Sequence, residues 1–321
     1  MTRELKIGTR GSQLALYQAN WVKNRLREAY PQLNVSLVTI KTTGDKIQDA
    51  PLAKIGGKGL FVKEIEEALL ERKVDLAVHS IKDVPTEFPA GLRLSAITKR
   101  ESPFDVLISR NGTGLKALPK GARIGTSSLR RQAQLLHFRK DFEMIPLRGN
   151  LDTRLRKLGE LNLDGIVLAM AGVKRLGLEA RITEVLPVEI SLPAIGQGAL
   201  GIETREDDEI VEERIRFLND LASAITVTAE RAFLKKLEGG CQVPIAAFAT
   251  VQHTVLHIDG LVGTTDGKQL IRHSLEGPLE RAESIGTELA DILLAKGAKE
   301  ILDEIYRRSA PVVSIEEANH G

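Results

Sequence analysis

The chain has 321 residues, 42% hydrophobic and 27% charged, with a formal net charge of +2. That length exceeds what one hydrophobic core usually serves and predicts two or three domains. The near-neutral charge and 4% aromatic content argue against a nucleic-acid partner, and the single cysteine excludes an internal disulfide framework and fits a reducing compartment.

In chain order, MTRELKIGTR lacks the apolar run of a signal peptide, and no stretch is long and apolar enough to span a bilayer; a cytoplasmic protein without a membrane partner is expected. Residues 4–9 (ELKIGT) alternate and read as a strand. Ser12 stands at an N-cap position before a helix over residues 12–30, with Leu14, Ala15, Trp21, Val22 and Leu26 on its apolar face. Residues 35–41 (VSLVTIK) follow as a second strand. Residues 42–59 are glycine-rich and aperiodic, as functional loops and lids often are, and carry Lys54 and Lys58. A helix over 60–73 and a buried strand over 74–80 come next.

A like pattern then returns: a strand at 122–128, a helix at 129–140, a strand at 142–147, a helix at 151–160 and a strand at 164–172. Ile7-Gly8-Thr9 and Ile124-Gly125-Thr126 each end a strand just before a helix. The fold class is therefore α/β, one doubly wound topology used twice, which commonly holds a ligand in the cleft between the two copies. Beyond Leu221 the texture changes. A helix at 223–238, strands at 245–251, 255–262 and 268–275, and a helical stretch at 278–308 with breaks at Gly286 and Gly297 make a small α+β domain.

Several segments could carry chemistry. GQGALG (196–201) has the letters of a dinucleotide fingerprint, but Pro193 precedes it and a strand follows it, so it reads as a tight crossover. GGKG (56–59) lacks the Ser or Thr of a phosphate-cradling loop. His79 and Ser80 are adjacent on a strand and so point to opposite faces, which argues against a dyad. Ser80, Lys82 and Asp83 end that strand and either face a site or, for Asp83, cap the next turn. No metal-ligand spacing is present. Cys241 lies between two glycines and Val243-Pro244, and reads either as a small core residue or as a reactive sulfur. The arginines carry more. Residues 123–175 hold eleven Lys or Arg against five Asp or Glu. Arg10, Arg130, Arg131, Arg148, Arg154, Lys174 and Arg175 fall near strand C-termini or helix N-termini, where planar guanidiniums suit a ligand with several separated anionic groups.

TRGSQLAL, KGLFVKE, DLAVHSIKDVP, GTSSLRRQ, LRGNLDTRL, LPAIGQGALGIE and LEGGCQVPI occur in this order and together resemble the porphobilinogen deaminase (hydroxymethylbilane synthase) family. The resemblance runs from about Lys6 to about Tyr306. It implies three domains: 1–98 with 199–217, then 99–198, then 218–308, with a tail at 309–321. The first two would be like type II periplasmic binding proteins. It implies a monomer that polymerises four porphobilinogen molecules, with loss of ammonia, into a linear tetrapyrrole. One covalent dipyrromethane cofactor per chain would hang from Cys241 by a thioether and serve as primer. Asp83 matches the catalytic aspartate. Ser80, Lys82, Thr126, Ser127, Ser128, Arg130, Arg131 and Arg154 match cofactor-binding positions. Arg10, Ser12, Phe61, Arg148, Arg154, Arg175 and Gln197 match positions around the substrate, with Lys54 and Lys58 on the lid. Two rival readings are a non-catalytic anion-binding protein, which leaves Cys241 and Asp83 unexplained, and a cysteine hydrolase, which lacks a histidine close in sequence to Cys241.

Overall fold

A computed structural model describes residues 4–46, 59, 61–239 and 243–309. The first sheet contains β1 (Leu5–Thr9), β2 (Val35–Thr39), β3 (Leu76–Ser80), β4 (Leu92–Ile97) and β10 (Leu200–Arg205), in the order β2-β1-β3-β10-β4. Strands β1, β2 and β3 run parallel and β10 is antiparallel to β3. Alternation along the strands gives the sheet two apolar faces. Leu5, Ile7, Leu76 and Val78 pack with α1 (Gln13–Ala29) and α7 (Glu209–Ile215), while Ala77 and Leu92 pack with α3 (Lys63–Leu70).

The second sheet repeats the plan. It contains β5 (Asp105–Ser109), β6 (Arg123–Gly125), β7 (Glu143–Ile145), β8 (Gly165–Ala169) and β9 (Glu184–Val185), in the order β7-β6-β8-β5-β9. Again three strands are parallel and the fourth, β5, is antiparallel. Helix α4 (Leu129–Phe138) covers one face; α5 (Leu151–Glu160) and α6 (Met170–Arg175) cover the other. The duplication read from the sequence is thus a shared strand order, and the fourth strand of each sheet adjoins a crossover.

The two crossovers touch backbone to backbone: Glu101 N–H donates to Gly198 O at 3.2 Å. Gly198 has φ +97°, and any Cβ there would strike the Glu101 carbonyl, so only glycine fits. The third unit is an antiparallel sheet, β11 (Ile245–Gln252), β12 (Val255–Gly263) and β13 (Leu270–Pro278), backed by α8 (Leu221–Lys236) and α9 (Ala282–Leu293) and followed by α10 (Lys299–Ser309).

Several expectations are corrected. A helical turn, α2 (Thr43–Lys46), starts the stretch read as aperiodic; residues 47–58 of that stretch, with Lys54 and Lys58, lie outside the described residues. The strand read through residue 172 stops at Ala169, and Lys174 and Arg175 end α6. Gly286 does not break its helix: it lies inside α9, against the Ala229 carbonyl, whereas Gly297 does kink the chain at φ +100°. The buried face of α1 is Gln18, Ala19, Val22 and Leu26, with Trp21 exposed.

Candidate functional site

Strand β3 ends in a single 3-10 turn, Ile81–Asp83. Ile81 is buried against Gly196 and Gly201 and so anchors the turn, leaving the neighbouring Lys82 and Asp83 half-buried. Ser80 accepts a hydrogen bond from Gln18 Nε2 at 2.9 Å. His79 faces the opposite way, its Nε2 2.9 Å from the buried Glu203 carboxylate. Burial and the Glu203 charge push nearby Glu66 up to about 7. The strand geometry thus keeps His79 away from Ser80.

Opposite this turn, α4 begins with Ser128 as N-cap, accepting from Arg131 N–H at 3.4 Å. Thr126 Oγ1 accepts from Ser128 N–H at 3.2 Å and Ser127 Oγ donates to Leu147 O at 3.0 Å. Arg130 and Arg131 occupy the first turn and are each only 5% exposed. Arg131 donates from Nη2 to Asp105 at 2.7 Å and from Nη1 to Val167 O at 2.9 Å; Arg130 Nη1 donates to Asp105 at 2.8 Å and to Leu192 O at 2.6 Å. Burial alone would raise the Asp105 carboxyl, but the two guanidiniums outweigh it and hold it far below the usual carboxylate range.

Gln197, on the returning crossover, donates from Nε2 to Asp105 at 2.9 Å, and its Oε1 accepts from Lys82 Nζ at 3.5 Å. Burial pulls the Lys82 ammonium down to about 8; the charges of Asp83 and Asp105 oppose this, and those of Arg131 and Arg130 add to it. Arg154, whose Nε donates to Gly149 O at 2.8 Å, is drawn down to about 10 by burial, with Arg131 and Arg148 lowering it further and Asp83 raising it. The structure therefore gathers Lys82, Arg130, Arg131 and Arg154 around Asp83 and Asp105, with Arg148 beside Arg154. Asp105 is saturated by its donors. Among the described residues Asp83 has no hydrogen-bonding partner, and the buried Arg131 Nε has none either. Excess positive charge with an unpaired donor fits a ligand carrying several carboxylates.

The remaining candidates lie around this cluster or apart from it. Arg10 is paired with Asp45, and its guanidinium sits 4.3 Å from the centre of the Phe61 ring. Ser12 caps α1 by accepting from Ala15 N–H at 3.3 Å. Arg175 donates to Gly198 O at 2.6 Å, tying α6 to the returning crossover. Cys241 lies outside the described residues. Asp105 is the residue that the sequence reading missed. Its only signal is an acid at the head of the apolar run VLIS.

Residues 5–213 match the family described as "Porphobilinogen deaminase, dipyromethane cofactor binding domain", and residues 224–295 match "Porphobilinogen deaminase, C-terminal domain". The chain is 57% identical to a porphobilinogen deaminase of Pelobacter propionicus, covering 95% of this chain and 98% of the relative. It is 54% identical to that of Carboxydothermus hydrogenoformans, covering 96% and 99%. Among solved structures it is similar to the periplasmic aliphatic sulphonate binding protein SsuA from Escherichia coli, at 14% identity and a TM-score of 0.40, over 74% of this chain and 71% of that one.

Proposed function

The chain belongs to the porphobilinogen deaminase family, and from that premise we propose how its own residues perform the reaction. The enzyme acts in tetrapyrrole synthesis, joining porphobilinogen units head to tail with loss of ammonia, and residues 5–213 form its dipyrromethane cofactor-binding domain. The observation that carries the assignment of roles is the unpaired Asp83 among Lys82, Arg130, Arg131 and Arg154.

Each porphobilinogen brings an acetate, a propionate and an aminomethyl group. Lys82, Arg130, Arg131 and Arg154, with Ser80, Thr126, Ser127 and Ser128, hold the carboxylates of the primer and of the growing chain. Arg10, Arg148, Arg154 and Arg175, with Ser12, Phe61 and Gln197, surround the incoming unit. Positive charge develops on the substrate pyrrole nitrogen as ammonia leaves. Asp83, which accepts from no donor among the described residues, is the fixed carboxylate that would stabilise that charge, and its carboxyl can pass a proton to the departing amine. The dipyrromethane, when bound, supplies the free pyrrole carbon on which elongation starts. Cys241 holds it through a thioether, a bond that resists hydrolysis over repeated cycles.

One aspartate must serve successive couplings, so either the growing chain shifts or the domains move, with residues 42–59 as lid. We divide the chain into 1–98 with 199–217, 99–198 and 218–308; β10 joining the first sheet supports the split first domain. The working form is taken as a cytoplasmic monomer on the family resemblance. Among the described residues no helix is long and apolar enough to cross a membrane.

Intact-mass measurement tests the scheme. The protein as purified should exceed its sequence mass by two pyrrole units, and Cys241→Ser should lack them. Asp83→Ala should keep the adduct and lose turnover by roughly a hundredfold or more, the usual scale for removing a charge-stabilising group. Full turnover in Asp83→Ala would sink the assignment.

A further inference from the structure

Asp105 is 0% exposed, yet it lies beside the most cationic part of the molecule. Its four acceptor sites are all taken. Oδ1 accepts from Arg131 Nη2 at 2.7 Å and Gln197 Nε2 at 2.9 Å; Oδ2 accepts from Arg130 Nη1 and Ser191 Oγ, both at 2.8 Å. A carboxylate so saturated has nothing left for a ligand, which sets it apart from Asp83. What it does is hold other groups. Arg130 spends only Nη1 on its bonds to Asp105 and Leu192 O. Arg131 spends Nη1 and Nη2, and its buried Nε has no partner among the described residues.

Gln197 extends the hold across the crossover. Its Nε2 donates to both Pro103 O, at 2.5 Å, and Asp105 Oδ1. A flipped amide would set its oxygen against two acceptors, so Oε1 has to face Lys82. We infer that Asp105 is a positioning residue: one buried carboxylate sets the orientation of Arg130 and Arg131 directly, and of Lys82 through Gln197, so that the unspent edges of these cations meet the carboxylates of the tethered pyrrole chain. This rests on the proposed role of the arginine cluster. Like charges packed this closely would otherwise splay apart, and each would find its own rotamer.

Primer loading of the apo-chain by porphobilinogen, followed by intact mass, tests it. Asp105→Asn should fold, as judged by circular dichroism, and load its primer about tenfold more slowly, the scale of losing hydrogen bonds to a charged group. Asp105→Glu keeps the charge but displaces it, and should load slowly too; full recovery in that variant would reduce Asp105 to a counter-charge and overturn the inference, as would native loading in Asp105→Asn. The pH profile gives a second readout. Lys82 is faced by Asp83, Arg131, Asp105 and Arg130, and the Asp105 charge favours its protonated form. In Asp105→Asn the alkaline limb of kcat/KM should move to lower pH, by about half a unit; a limb that stays in place counts against the link to Lys82. If Asp105→Asn does not fold, Gln197→Met cuts the Lys82 link and leaves the arginine bonds: slowed loading supports the inference, native loading overturns its Lys82 arm, and Asp105→Glu decides the arginine arm. Arg131→Leu separates the two levels. Normal loading there removes the arginine-cluster reading itself, whereas slow loading there with normal Asp105 variants removes only this inference.

Discussion

Lys82 loses its proton near pH 8 because burial strips water from its ammonium and Arg130 and Arg131 repel it, more than Asp83 and Asp105 compensate. Only the protonated form attracts a carboxylate. As pH rises through about 8 the free enzyme loses that charge, and kcat/KM for porphobilinogen should fall with an apparent pKa near 8. In Lys82→Arg the guanidinium stays charged, so this limb should vanish from the measured profile; a limb retained there belongs to another group. The residues gathered around Asp83 were legible in the sequence, since Lys82, Arg130, Arg131 and Arg154 all stand at strand ends or helix starts. Their buried counter-charge was not. Asp105 sits 25 positions before Arg130 and 92 before Gln197, and no local spacing joins them.

At the scale of elements, hydrophobic period located the long helices well, and Ser12 caps α1 as its position predicted. Ser128, Asn150 and Asp220 also cap the helices they precede by accepting a backbone N–H. Short elements escaped. Strand β9 has two residues, too few for a period, and α6 follows β8 without any side-chain cap at Ala169. Gly286 misled because glycine marks both helix ends and close helix contacts. The reason it is glycine lies on α8, whose Ala229 carbonyl leaves no room for a Cβ. Gly286→Ala should therefore destabilise the protein by about 1–3 kcal/mol, the cost of overpacking. Gly159, exposed on α5 with nothing within 4 Å of a new Cβ, gives the opposite sign: Gly159→Ala should stabilise by roughly 0.5–1 kcal/mol. Urea melts of the two variants decide, and equal effects would refute the packing argument.

For the whole molecule, one buried ion pair joins the three units. Arg100, on the outgoing crossover, donates to Glu230 of α8 at 2.6 and 3.1 Å and to Gln197 O of the returning crossover at 2.8 Å. Glu230, fully buried, also accepts from Gly196 N–H at 2.6 Å and from Ala249 N–H of β11 at 2.8 Å. Glu230→Ala strands a guanidinium and two backbone donors, and should cost roughly 3–5 kcal/mol; adding Arg100→Met should cost less than the separate losses predict. Thermal melts check both, and additive losses would deny the coupling. By itself the sequence determined the repeated α/β pattern, the strand-end and helix-start places of Lys82, Asp83, Arg130, Arg131 and Arg154, and the family, because periodicity, capping and ordered motifs are local properties of the chain. Only the tertiary structure decided which charges meet: Asp105 under Arg130 and Arg131, Glu203 beside His79, Glu230 with Arg100. Partners so far apart in the chain are chosen by strand order and crossover packing, and burial turns those meetings into fixed orientations.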